Sequence, residues 1–570
     1  MWWISFQEGS VIPGIIVGCF VAIGGLIFGW DTGNINGILA MDSFIRDYAT
    51  NVDEHGRPYI TASQSSLIVS ILSAGTVIGS LTANFWADWI GRRWGLILSS
   101  TLFTVGVALQ VISTALPLFI IGRMITGMGV GLISVMVPLY QAESAPKWIR
   151  GSIIGCYQLS ITIGLLLTTI ISNATHSRTD TGAYRIPISL QAILSVTLAI
   201  GMLFLPESPR FLVKRGHPEA ATLALAKLRA LPRDHPTLQE ELEEIELFHE
   251  MECDLGKATW KDCFRGNLGA RLWTGCGLQA LQQLTGINFI FYYGTTYFKT
   301  NGVSRPFVIS LIANIVNVVA TIPGLYLVEK AGRAPLLFIG ALGMGFCQLV
   351  IAVVGLTTST DVANKVLIGL TCVYIAFFAM TWGLGGWIVT GEIFPLRVRA
   401  KSMSMTAATN WIVNWALSYS TPYLVDESPD SARLGSKICF IWAGFCFLSV
   451  WFVQKYIHET KGISLEQVDG VYHGSTAAKI RNRLSSVTGA SLRKRDTTHV
   501  NEIIPLHVAA AGGMPSSYQN RIPLSPLSPV HSIIPSSSRD SNEVNPSSLE
   551  RGSSLPEKEN SIQRVDSSGS

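Results

Sequence analysis

An eight-residue frame, Glu-x-x-Pro-x-x-x-Arg, occurs twice in this chain, at Glu143–Arg150 and at Glu392–Arg399. Each copy follows a long apolar segment. Two further markers are duplicated in the same order. Asp88-Trp89-Ile90-Gly91-Arg92-Arg93 is echoed by Glu329-Lys330-Ala331-Gly332-Arg333, and Pro206-Glu207-Ser208-Pro209-Arg210 loosely by His458-Glu459-Thr460-Lys461. The copies lie 249, 241 and 252 residues apart. Three ordered markers at nearly one offset imply a duplicated half. A duplicated membrane half predicts a transporter whose halves rock about a central site.

Composition places those halves in a bilayer. Charged residues make up 14% of the chain and hydrophobic ones 48%, whereas a soluble domain carries about 25% charge. The net charge of +4 gives no reason to expect nucleic acid as a partner. The nine cysteines form no CxxC pair. Those in apolar segments, such as Cys19, Cys276, Cys372 and Cys439, read as small hydrophobes, so neither a disulfide framework nor a metal site is expected. The first apolar segment lacks a basic flank and is too long for a cleavable signal, so it reads as a membrane helix.

A span needs about 20 mostly apolar residues. Twelve are expected: 12–39, 63–85, 95–115, 117–140, 152–172, 185–205, 270–298, 305–327, 335–357, 364–390, 402–424 and 436–457. They divide into an N-terminal half over 12–205 and a C-terminal half over 270–457. The polar stretch 206–269 between them contains two expected short helices, 217–231 and 237–252. The second is acidic and amphipathic, and reads as a solvated helix or as a plug over the inner mouth. Lys and Arg in the short loops number nine on each side, so they leave the orientation open. The basic residues of the central stretch place it, the N-terminus (1–11) and the tail (458–570) in the cytosol. Asn173-Ala174-Thr175 then falls outside, where Asn173 is a candidate for glycosylation. From about residue 475 the chain is rich in Ser and Pro, with Ser525-Pro526 and Ser528-Pro529, and should be disordered. This tail is a candidate carrier of phosphorylation or turnover signals and hence of regulatory partners; an inert extension fits equally well.

The duplicated charges are candidates for a gate. Asp88, Arg92, Arg93, Glu143, Arg150, Glu207 and Arg210 belong to the first half, and Glu329, Arg333, Glu392 and Arg399 to the second. Acid–base pairs at helix ends can bridge neighbouring helices in one state and part in the other. Surface pairs contribute about 0–1 kcal/mol each, which suits a gate that must not lock.

These motifs, joined by Gln282-Gln283-Leu284-Thr285-Gly286-Ile287-Asn288, resemble the sugar porter family of the major facilitator superfamily over roughly residues 12–470. Phe28-Gly29-Trp30-Asp31-Thr32-Gly33 resembles the fungal hexose transporters of that family. Trp89 departs from the family's usual basic residue, Ala334 from its frequent second arginine and His458 from its usual proline. The resemblance implies an all-α membrane protein with the major facilitator fold, twelve helices in two halves joined by a cytosolic helical linker. It implies movement of a hexose, glucose foremost, across the plasma membrane, with no enzymatic chemistry and no cofactor. No nucleophile, metal set or phosphate loop stands in the sequence.

Polar residues inside spans are costly unless they face a partner or a wet cavity. Gln158, Gln279, Gln282, Gln283, Asn288, Asn314, Asn317 and Asn410 all lie in expected spans. Carboxamides both donate and accept without a net charge, which matches a sugar's hydroxyls. Gln279, Gln282 and Gln283 share a helix face. By resemblance, Gln158, Gln282, Gln283, Asn288, Asn317 and Asn410 match the family's sugar-contacting positions, and Trp387 and Trp411 lie beside the sugar. Aromatic faces suit the apolar C–H face of a pyranose. Tyr292, Tyr293 and Phe378 are candidates for the lining or outer gate, and Phe291 is a further one. Ala379 stands where some animal relatives have glutamate.

The run Gly127-x-Gly129-x-Gly131 lies inside a span with no preceding strand, so it reads as helix packing rather than a dinucleotide motif. Gly383, Gly385 and Gly386 could break their helix beside the site. Asp31 is an acid inside a span, and Arg123 on the fourth helix is its expected partner. The pair could couple proton binding to transport, or it could be a permanent tie between helices. Facilitated diffusion and proton symport both remain open, as does a nutrient sensor with the same fold that signals through its tail. Other substrates (xylose, a disaccharide, a polyol or quinate) also fit.

Overall fold

The computed structural model describes residues 10, 12–52, 58–146, 149–254, 259–300, 306–357, 361–425, 432 and 434–461. The expectations for the tail beyond 461, including its disorder, and for nearly all of the first eleven residues lie outside these described residues.

The first half comprises α1 (Ile12–Val21), α2 (Ile23–Leu39), a short α3 (Asp42–Tyr48), α4 (Ala62–Trp89), α5 (Arg92–Ile112), α6 (Leu116–Ser144), α7 (Arg150–Thr175) and α8 (Gly182–Met202). The linker forms α9 (Pro209–Lys214), α10 (Pro218–Arg229) and α11 (Pro236–Asp254). The second half comprises α12 (Gly266–Leu284), α13 (Ile287–Thr300), α14 (Pro306–Lys330), α15 (Arg333–Thr357), α16 (Asp361–Met380), α17 (Trp382–Glu392), α18 (Leu396–Val425) and α19 (Ile438–Tyr456). The only strands among the described residues are two-residue β1 (Asn51–Val52) and β2 (Pro58–Tyr59), an antiparallel pair in a loop.

All twelve expected spans are helical, but only ten described segments are long and apolar enough to cross a membrane by composition. The other two are α12–α13 and α18. Both carry the amides and hydroxyls of the interior, which lowers their hydropathy. They cross because those groups face protein rather than lipid. Several helices also extend one to two turns beyond their apolar segments. Asp88, Glu143, Arg150, Arg333, Glu392 and Arg399 sit inside helices, not in loops.

Small residues set the helix spacing. A Cβ on Gly29 would lie 1.9 Å from the Ile161 carbonyl oxygen, so α2 and α7 touch backbone to backbone. Gly75 and Gly79 of α4 mesh in the same way with Gly127 and Gly131 of α6, while Gly129 faces Phe103 of α5. The Gly-x-Gly-x-Gly run is therefore a packing stripe on two faces of one helix. Across the boundary between the halves, α4 packs on α18 and α7 on α14.

Among the described residues, three spans are interrupted. The first breaks between α1 and α2. The seventh breaks at Gly286, whose φ of +88° and close approach to the Trp442 ring exclude a side chain. The tenth breaks at Thr381, two residues before the Gly383 cluster.

The linker helices share a small apolar core of Val213, Ala221, Leu225, Leu238, Leu242 and Ile245. Arg229 ties α10 to Glu241 of α11 at 2.7 Å. The acidic helix therefore buries one face on its own linker and leaves the other polar. The sequence reading missed α9, which is too short to show a period.

Candidate functional site

Amides from the second half converge at its boundary with the first. The i, i+3, i+4 spacing of Gln279, Gln282 and Gln283 on α12 aims all three toward Asn410 of α18. Asn410 Nδ2 donates to Gln279 Oε1 at 2.6 Å and to Gln282 Oε1 at 2.9 Å, and Gln283 Nε2 donates to Asn410 Oδ1 at 2.8 Å. Asn288, just past the Gly286 break, donates to Gln283 Oε1. Gln282 Nε2 donates to the Trp382 carbonyl at 2.8 Å and Gln279 Nε2 to the Gly386 carbonyl at 3.1 Å, so the glycine-rich break of α17 presents bare backbone to the amides.

Residues of the first half close over this cluster. Gln158 is buried against Gly383, where a Cβ would lie 3.1 Å from its Nε2. The Tyr157 ring meets Trp387 edge-on at 5.4 Å. Trp411 donates from Nε1 to Ser134 Oγ at 3.1 Å and packs edge-on against Phe28 at 5.1 Å. Tyr292 donates to Asn414 Oδ1 at 3.3 Å and Tyr293 to the Ser418 carbonyl at 2.8 Å. Phe291 is buried close by on α13, and Phe378 and Ala379 are buried on α16. Asn317 of α14 is 1% exposed, and neither its Nδ2 nor its Oδ1 has a partner in the structure. A buried carboxamide left unpaired costs about 1–3 kcal/mol per group.

The amides bond to one another where the two halves meet. A cavity beside Asn288, Tyr292, Tyr293, Ser418 and Trp442 measures about 10 Å³, room for one water and not for a sugar. The halves touch on both sides of the site. On the linker's face, Ser152 N donates to Glu329 at 2.9 Å and Lys401 lies 3.9 Å from Asp88. On the far face, Thr295 N donates to Asn36 Oδ1 at 3.1 Å and the His176 ring stacks on Phe307 at 4.5 Å.

The duplicated charges build two matching latches on the linker's face. Arg92 pairs with Glu143 at 2.8 Å and donates to the Ala87 carbonyl; Arg333 pairs with Glu392 at 2.8 Å and donates to the Val328 carbonyl. Ser208 Oγ donates to Glu143 at 2.5 Å and Thr460 Oγ1 to Glu392 at 2.6 Å. Glu207 accepts the Arg92 and Arg93 backbone N–H groups at 3.0 and 3.1 Å, and Glu459 accepts those of Arg333 and Ala334 at 3.1 and 3.2 Å. Each carboxylate caps a helix start, where free N–H groups and the dipole favour an anion. Burial pushes the Glu207 carboxyl above its ordinary range, against the pull of those N–H groups. Arg93 donates from Nε to the Met202 carbonyl at 2.9 Å, Arg210 to the Glu143 carbonyl, and Arg399 from Nε to the Phe394 carbonyl at 3.0 Å. Arg150 is buried at the start of α7. Asp88 meets Lys214 of the linker at 2.8 Å.

The latches differ from the expectation in one respect that matters. Arg92, Glu143, Arg333 and Glu392 have side chains 5% exposed or less, so these are buried pairs and the surface-pair magnitude does not apply. Asp31 and Arg123 are also fully buried, at 3.1 Å. Asn173 lies in the last turn of α7, with its sequon partner Thr175 buried. Sequence reasoning missed Asn414, although it stands one turn from Asn410 on the same face. It also missed Ser208 and Thr460, which follow the capping glutamates in the repeat.

Two duplicated six-helix halves enclosing an uncharged amide and aromatic site define a membrane transporter of the major facilitator fold, not an enzyme. Residues 17–472 match the family model "Sugar (and other) transporter", and the chain belongs to that family. Among its relatives is the Major facilitator-type transporter ecdD of Aspergillus rugulosus, 55% identical over 81% of this chain and 88% of its own. The Probable glucose transporter rco-3 of Neurospora crassa is 50% identical over 81% of this chain and 80% of its own. The High glucose sensor RGT2 of Saccharomyces cerevisiae is 43% identical over 85% of this chain but 63% of its own. The solved structure of the proton:xylose symporter XylE of E. coli, bound to 6-bromo-6-deoxy-D-glucose, aligns with a TM-score of 0.72, 27% identity, 81% of this chain and all of its own.

Proposed function

We propose that the chain carries a hexose, glucose foremost, across the plasma membrane by alternating access. The observation that supports this most is the largely buried amide cluster of Gln279, Gln282, Gln283, Asn288 and Asn410, with Trp387 and Trp411 buried on the neighbouring α17 and α18. Gln158, Gln282, Gln283, Asn288, Asn317 and Asn410 take the sugar hydroxyls, replacing amide–amide bonds with amide–hydroxyl ones. Trp387 and Trp411 take its apolar face, and Tyr292, Tyr293 and Phe378 close over it. The linker's face is cytosolic, as are both termini. The two halves (12–205 and 270–457) are the rocking bodies, residues 206–269 brace the latches, and the tail is where regulatory partners act. Asn173 would lie on the outer side, and its place in a helix end argues for little glycosylation there.

Gln282→Ala removes both an acceptor for Asn410 and a sugar contact. It should cut labelled-glucose uptake at least tenfold in a cell lacking other hexose transporters, with surface amount unchanged. Uptake at the parental rate would remove Gln282 from the site.

Asp31 and Arg123 could hold a proton that moves with the sugar. Under that reading, Asp31→Asn abolishes pH-dependent accumulation of glucose while exchange of glucose across the membrane persists. Accumulation that survives a protonophore in the parental protein would exclude symport.

A sensor is favoured by one observation, the 43% identity to a glucose sensor. Residues 475–570 would then carry the signal. Deleting them would abolish signalling in a protein that never supported uptake, whereas a transporter would continue to take up glucose.

A further inference from the structure

The repeat extends beyond the linker's face. Helices α4 and α14 correspond, with Asp88 matching Glu329 at an offset of 241 residues, and the same offset carries Ser73 to Asn314. Ser73 and Asn314 each stand 15 residues from their acid, about 22 Å along a helix at 1.5 Å per residue. Both therefore lie past the middle of their helices, on the side away from the linker. Both are buried, and both bond across the boundary between the halves. Ser73 Oγ donates to Asn414 Oδ1 of α18 at 2.7 Å. Asn314 Nδ2 donates to Thr169 Oγ1 of α7 at 3.0 Å. Helices α7 and α18 correspond as well, with Arg150 matching Arg399. In that register Thr169 matches Ser418, which itself donates to Asn414 Oδ1 at 3.2 Å.

Each of the two helices α4 and α14 is thus tied to the other half twice. Toward the linker the tie is an acid: Asp88 to Lys401, and Glu329 to the Ser152 backbone. Toward the far face it is a neutral hydroxyl–amide bond. Rocking cannot preserve both ties of one helix, since opening either mouth breaks the tie at that end.

We infer that Ser73–Asn414 and Thr169–Asn314, built on matching positions of α4 and α14 but on different positions of α18 and α7, form a two-part outer clasp that opposes the acid ties and sets the resting ratio of outward-open to inward-open protein. These four are positioning residues that act through the movement of the halves. The inference rests on the alternating-access reading but not on which sugar is carried.

The test uses a reporter cysteine at Leu417, which lines the far-face cavity, and a membrane-impermeant maleimide on intact cells. Labelling per surface molecule is compared with the parental protein, whose own cysteines give the background. Thr169→Val removes the clasp but leaves Asn314 Nδ2 its bond to the Ser310 carbonyl at 3.0 Å, so no donor is orphaned. It should raise labelling about fivefold, the effect of one net hydrogen bond, and Ser73→Ala should do likewise. Glu329→Gln should lower it. The exchange Thr169→Asn with Asn314→Thr restores the bond and the parental rate. Labelling unchanged or slower in both clasp variants overturns the proposal. So does labelling that rises in Glu329→Gln as well, since that is general loosening. No sugar is needed, so loss of the glucose assignment leaves this result readable, and failure here leaves the Gln282 experiment intact.

Discussion

Glu392→Gln should destabilise the purified protein by about 3–5 kcal/mol, the cost of leaving one partner of a buried pair uncompensated. Glu392 accepts from Arg333 at 2.8 and 3.2 Å and from Thr460 at 2.6 Å, so its charge is fully engaged and Arg333 has little water to turn to. Glu329, 3.1 Å from Arg333 but 23% exposed, recovers part of the loss. The double variant Arg333→Leu/Glu392→Leu removes both charges and should regain much of the stability, because replacing a buried pair with apolar groups is often neutral. It should not regain transport, since the latch has gone. Asp180→Asn provides the contrast. Its pair with Arg178 is exposed on both sides, and thermal stability in detergent should not change. A single Glu392→Gln loss no larger than that of Asp180→Asn would mean that the latch is solvated.

This contrast also marks where the sequence stopped being legible. The repeat could be read directly, because Glu143, Glu207 and Asp88 have counterparts at nearly constant offset. Their burial could not. A charged residue at the end of an apolar run reads as an interface residue, and only the approach of α9 and of Thr460 from distant parts of the chain takes it out of water. The spans were legible where hydropathy alone decides. The helices that hold the candidate site, α12 and α18, lie where the sequence places spans yet read as the least membrane-like, since their amides lower the hydropathy. Gln282, Gln283 and Asn410 were found as polar residues in costly places, and Asn414 was passed over on the same helix face. The clasp residues Ser73 and Thr169 carried no signal of their own. A hydroxyl in a span usually bonds its own helix, and only the partner across the boundary distinguishes these two.

Gly332→Ala and Gly91→Ala should each cost several kcal/mol, and nearly the same amount. Gly91 has φ +92° and ψ 177°, a region in which residues other than glycine hardly occur and which costs about 1–3 kcal/mol. Gly332 has φ +96°. In both, an added Cβ would meet the capping carboxylate at 2.4 Å, Glu207 in one case and Glu459 in the other. The methyl therefore both strains the turn and displaces the cap of α5 or α15, a further loss of about 0.5–2 kcal/mol. Gly216 separates the two causes. Its φ is +76° but nothing lies within 4 Å, so Gly216→Ala should cost only about 1 kcal/mol, the left-handed penalty alone. Thermal midpoints of the three variants in detergent give the comparison. Equal losses at all three positions would show that backbone strain accounts for everything and that the glutamate caps contribute nothing. A loss at Gly332 alone would mean that the second half depends on its cap and the first does not. The expected order, Gly91 and Gly332 together and well above Gly216, is what two carboxylates that fix the starts of α5 and α15 in the same way would give on top of the backbone strain. One ancestral capping arrangement would then persist in both halves.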